Sequence, residues 1–165
     1  MPWNNITEYV FGETVEVAVW EDLVENNAFQ EEIGAASRSS DLAITATSVG
    51  AAQEIMTLGA LTYEAVPTLF EVWIPRISAG NAAFHLILRE GSTVIETLLD
   101  GVANESEQGK LLGARLTPTA GSRTYNVAGW RAAGTDWTVR AGTGGTTGDS
   151  TTFGNARMRA VRIPT

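Results

Sequence analysis

From residue 41 onward, apolar and polar positions alternate over short runs divided by glycine, proline and small polar residues. That period of two, enriched in β-branched and aromatic side chains, predicts antiparallel strands rather than helices. The first runs fall at 42–47, 54–58 and 60–64, the last free to pair with either neighbour. Residues 69–74 form a mostly apolar run that stops at Pro75, as a strand near a sheet edge does. In 82–90, Phe84, Leu86 and Leu88 alternate against His85 and Arg89; Gly91 breaks the run and 93–99 returns, which predicts a hairpin. A polar, acidic loop at 100–109 leads to a strand over 110–117 that ends at Pro118. Between Gly121 and Ile163 three more such runs are separated by glycine-bearing breaks, and none carries an interior proline. The fold class is mainly β: an antiparallel β-sandwich or jelly roll of about nine or ten strands, without a solenoid or propeller period.

The front of the chain has a different pattern. Val17, Trp20, Leu23 and Val24 share one helical face with Asn27, and Glu21, Asp22 and Glu25 lie opposite. This predicts a short amphipathic helix at about 16–28, although Val17 and Val19 also suit a strand. The small polar stretch 34–40 reads as a linker. The expected organisation is an N-terminal arm, 1–40, and a β-sandwich domain, 41–165. The arm has too little apolar surface to fold alone, so Trp3, Tyr9, Phe11 and Trp20 are expected to be covered by the sandwich or by another molecule.

At 165 residues, 44% hydrophobic and 18% charged, the chain is long enough to bury roughly 70% of its unfolded surface. It has no cysteine, which removes disulfides, thiolate metal sites and cysteine nucleophiles. No apolar run reaches the roughly 18 residues of a membrane span, and the opening residues lack the basic start and apolar core of a signal peptide. The net charge of −8 argues against nucleic acid as the main partner. Its distribution matters more: residues 1–33 hold acidic side chains and no Lys or Arg, whereas 121–165 carry six arginines, among them Arg140, Arg157 and Arg159, against Asp136 and Asp149. Copies meeting head to tail, docking on a third surface, or two ordinarily solvated faces all fit that asymmetry.

Catalytic signals are sparse. His85 is the one histidine; without cysteine it makes no zinc site, and no Gly-x-Ser-x-Gly elbow accompanies it, so a structural or surface role is expected. The glycine-rich stretch 142–151 has Asp149 where a phosphate loop needs Lys and no helix after it, so it reads as a strand connection. Glu71, Glu90 and Glu96 lie on strands with nothing to mark a cleft between them. Asp100, Asn104, Glu105 and Glu107 are hard-oxygen ligands without the spacing of a calcium loop. Among the five tryptophans, Trp73, Trp130 and Trp137 sit on or beside strands, where core or interface is the default; a lectin reading makes Trp130 or Trp137 a platform for sugar rings.

The closing stretch resembles the terminal β-sandwich of tailed-phage structural proteins. The features that carry this are Gly121, Thr124, Tyr125, Trp130, the turn Arg131, Ala132 and Gly134, a strand around Val139, and a final strand over 158–163. Tyr9, Val10, Phe11 and Gly12, followed by 17–27, are similar to the head segment of such virion proteins. The resemblance implies a non-enzymatic virion component with no cofactor, made in the host cytoplasm and placed on the capsid surface. The reading it favours is a capsid decoration or cement protein. Trp3, Tyr9, Phe11 and Trp20 would dock on the major capsid protein or another virion protein, and Arg140, Arg157 and Arg159 would meet the acidic leaders of sister copies in a trimer. The alternatives are a tail or head fibre component with a receptor- or carbohydrate-binding sandwich, and a carbohydrate-binding module or a small hydrolase using Glu71 or Glu96.

Overall fold

A computed structural model describes residues 31–79, 81–102, 107–142 and 153–163. Ten strands in two antiparallel sheets form a β-sandwich: β1 (Glu31–Arg38), β2 (Leu42–Ile44), β3 (Gln53–Tyr63), β4 (Thr68–Ser78), β5 (Ala83–Glu90), β6 (Thr93–Gly101), β7 (Glu107–Leu116), β8 (Gly121–Ala133), β9 (Trp137–Arg140) and β10 (Ala156–Arg162). The expected helix at 16–28 and the anchors Trp3, Tyr9, Phe11 and Trp20 lie outside the described residues.

The four-stranded sheet runs β3-β8-β5-β6, with β5 and β6 making the predicted hairpin through Gly91. The six-stranded sheet is organised around β4. One side of β4 carries β7 along most of its length; the other side carries β10 and then β9 end to end, with β1 beyond β10 and β2 beyond β9.

Two expectations are corrected here. The sheet begins at Glu31, not near residue 41: Gly34, Ala35, Ala36, Ser37 and Arg38, taken as linker, pair with β10. Small residues suit this edge because an ideal Cβ at Gly34 would stand 2.4 Å from Leu61 Cδ1, so a larger side chain would push β1 off the layer beneath. Pro75 does not end an edge strand; β4 is central and passes through it. Proline is tolerated because Pro75 falls at a seam. The β10 register stops at Trp73, the β9 register starts at Arg76, and the β7 register skips from Ile74 to Arg76. A missing N–H therefore forfeits no ladder bond there. The pleat slips at the same point, so that Ile74 and Ile77 both face the core.

The core lies between the sheets. Thr68, Phe70, Val72 and Ile74 of β4 point into it, as do Phe84, Leu86 and Leu88 of β5. Tyr63, Phe70 and Tyr125 cluster toward the first half of β4, with ring centroids 4.6–6.0 Å apart. Trp137 and Phe84, 5.3 Å apart, fill the other end. Trp137 fits because Gly129 is bare: a Cβ at Gly129 would lie 2.5 Å from the indole.

Candidate functional site

Because Phe70, Val72 and Ile74 face inward, Leu69, Glu71 and Trp73 must face out. The neighbouring strands complete this outer surface in two rows. Ser37, Arg157, Trp73 and Leu111 stand side by side across β1, β10, β4 and β7, and Ala35, Arg159, Glu71 and Gly113 form the next row. Apart from Gly113 they line, with Glu32 and Asn155, a groove of about 620 Å³.

Trp73 is 37% exposed. An ideal Cβ at Gly109 would come within 3.2 Å of its Cη2 atom. Gly109 lies diagonal to Trp73 on β7, so the indole extends along the sheet toward the glycine backbone. Gly109 has φ +56°, a conformation that also favours glycine. Leu111, 67% exposed, forms an apolar lip beside the ring.

The polar groups stand on β10 and one row back on β4, on the other side of Trp73 from Gly109. Arg159 Nε donates to Glu71 Oε2 at 2.5 Å, an ion pair that fixes both side chains. Arg157 is exposed and has no ion pair or hydrogen bond among the described residues. Two of the three arginines singled out in the sequence thus meet on one surface. Arg140 does not join them: its Nη1 donates to Asp41 Oδ2 at 2.6 Å, while Asp41 Oδ1 accepts from the Ala141 N–H at 3.0 Å. This clasp ties the approach to β2 onto the end of β9, so Arg140 is committed within the chain.

The tryptophans proposed as sugar platforms are otherwise engaged. Trp137 is fully buried, which agrees with the core role expected by default and removes it as a sugar platform. Trp130, on the outer face of the four-stranded sheet, stacks on His85 with centroids 4.1 Å apart and packs beside Ala52, Ile87 and Ala128. His85 Nδ1 donates to Asp100 Oδ1 at 2.6 Å, and its Nε2 is covered and unpartnered. With one ring nitrogen bound to Asp100, the other covered and Trp130 stacked on its face, the imidazole is packed into the sheet surface, in keeping with a structural role. Of the four residues considered for calcium, Asp100 is thus partnered by His85, and Asn104 and Glu105 lie outside the described residues. No group of three His, Asp or Glu side chains is placed for a metal among the described residues. Glu71 faces the groove, whereas Glu90 and Glu96 belong to the other sheet, on β5 and β6.

Trp73 is the groove residue that the sequence left as core or interface. The signal was present: strand alternation alone places it on the same face as Glu71.

No family model matches the chain, and no curated protein does. Solved structures give distant likenesses. One is the C-terminal domain of EclA, a sugar-binding protein, at 18% identity over 78% of each chain with a TM-score of 0.41. Another is the CBM22-1–GH10 portion of Clostridium thermocellum xylanase 10B complexed with xylohexaose, at 11% identity over 81% of this chain and a TM-score of 0.35. This chain covers only 28% of that xylanase chain. Identities and superpositions at this level say nothing of ligand or partner, and the groove has to be read from its own residues.

Proposed function

We propose that this protein is a non-catalytic binding module that takes a carbohydrate in the groove on the outer face of the six-stranded sheet. The observation that carries the reading is Trp73, a partly exposed indole laid along the sheet and flanked by Arg157, Arg159 and Glu71. A pyranose has an apolar face of C–H bonds and a rim of hydroxyls. The first stacks on an aromatic ring; the second needs donors and acceptors held in fixed positions around it. Glu71 and Arg159, locked to each other, supply such acceptors and donors at low entropic cost.

The test is a glycan array probed with the full chain and with Trp73→Ala. The substitution is expected to abolish glycan binding and to leave the melting temperature within a few degrees of the parent, because the ring lies outside the core. Retained binding in the variant would move the site elsewhere; a parent chain that binds no glycan would end the reading.

A second reading, a virion structural subunit such as a capsid decoration or fibre component, draws on a different observation. Val94 and Ile95 on β6, Val102 after it and Leu111 on β7 are all exposed and lie along the adjoining sheet edges. Under that reading this apolar strip is buried against protein.

A further inference from the structure

Resting on the carbohydrate reading, we infer that the groove's ligand is an acidic sugar, a hexuronate whose carboxylate is held by Arg157. The two arginines of the groove differ in one respect. Arg159 already has its counter-ion in Glu71, whereas Arg157 has none among the described residues, although it is exposed on the same face. A guanidinium with no partner among the described residues, set beside an exposed aromatic side chain, is half of a bidentate carboxylate site.

The register fixes where the other half must be. Arg157 is the direct cross-strand neighbour of Trp73, about 4.8 Å away across the ladder. The indole leans over Gly109 of β7, on the side of β4 away from β10, so the substituent that Arg157 would reach is one on the sugar's near edge, across the width of β4. Ser37, opposite Arg157 on β1, adds a hydroxyl beyond it. The remaining groove carboxylate, Glu32, is opposite Val161, five positions along β1 from Ser37. At about 3.3 Å per residue it is too remote to neutralise Arg157. The chain's overall charge of −8 opposes an anion only weakly, since charges beyond roughly 8 Å are screened at physiological salt.

The experiment pairs hexuronate oligosaccharides of gluco, galacto and manno configuration with their carboxyl-reduced, neutral counterparts, and measures affinity for the full chain and for Arg157→Gln. At least one uronate is expected to bind about tenfold or more tightly than its reduced partner, with affinity falling as salt rises. In Arg157→Gln that discrimination is expected to vanish, while the weaker binding of the neutral form is unchanged. Equal binding of acid and reduced forms would overturn the inference and leave the carbohydrate reading standing. A preference that survives in Arg157→Gln would also overturn it. Binding of sulfated chains instead of uronates would replace the carboxylate with a sulfate ester. No binding by any glycan would bring down both readings.

Discussion

Tyr125 shows how one polar group is kept inside an apolar cluster. Its hydroxyl donates to Glu90 Oε2 at 3.3 Å, and Glu90 Oε1 accepts from Arg123 Nη1 at 3.1 Å. Burial, then the Glu90 charge and that hydrogen bond, push the phenol up to about 12, with Arg123 pulling the other way. Burial raises Tyr63 as well. The sign follows from linkage: below the ordinary value of 10.0 both folded and unfolded chains keep the proton, but above it the unfolded chain loses its proton first. Stability contributed by Tyr125 is present below about pH 10 and is lost as pH rises through about 12. A series of melts across that window is expected to show a steady fall, and tyrosinate absorbance of the folded chain is expected to lag behind that of the unfolded chain. Coincident titration of folded and unfolded chains would contradict the buried, Glu90-bonded placement. None of this was legible in the sequence, where Tyr125 and Glu90 are members of different runs and only the β5–β8 register makes them partners.

The elements were more legible. The hairpin at Gly91, the strand before Pro118 and the three closing strands stand where alternation put them. The exceptions have a common cause, because a strand's neighbours are not written in its own residues. Pro75 reads as a terminator, yet it sits at the one position of β4 where β10 hands over to β9. Pro75→Ala is therefore expected to change stability by less than about 1 kcal/mol. Val72→Pro is expected to cost about 3 kcal/mol or more, since Val72 is wholly buried and paired to both Met158 and Leu112. Denaturant melts of the two variants decide it; similar losses in both would mean that Pro75 is not at a gap in the ladder. The stretch 34–38, read as linker from its small polar residues, becomes a strand for a related reason: β10 offers an edge, and small side chains clear Leu61 beneath.

For the molecule as a whole, the two faces of the sandwich offer different things to partners. The outer face of the six-stranded sheet is a polar groove around an indole; the β6–β7 edge is a strip of exposed aliphatics. The two readings of function part here. A carbohydrate module needs only the groove, so Ile95→Lys is expected to leave glycan affinity unchanged and the mass in solution that of the parent chain. If the parent forms a trimer or larger assembly that Ile95→Lys dissociates, the strip is an interface and the virion reading gains. The charge asymmetry between the acidic head and the arginine-bearing end bears on the same measurement, because an assembly held by it weakens as salt rises.

By itself the sequence determined the period of the strands, and with it the β-sandwich and the placing of Trp73 and Glu71 on the same face of their strand. Those are local properties, fixed by the alternation of side chains along an extended backbone. Only the tertiary structure decided which strands lie side by side. That choice turned Trp137 inward over Gly129, stacked Trp130 on His85, tied Arg140 to Asp41, and set Arg157 beside Trp73. Each of these contacts joins residues brought together by the order of strands in a sheet, which no single strand specifies.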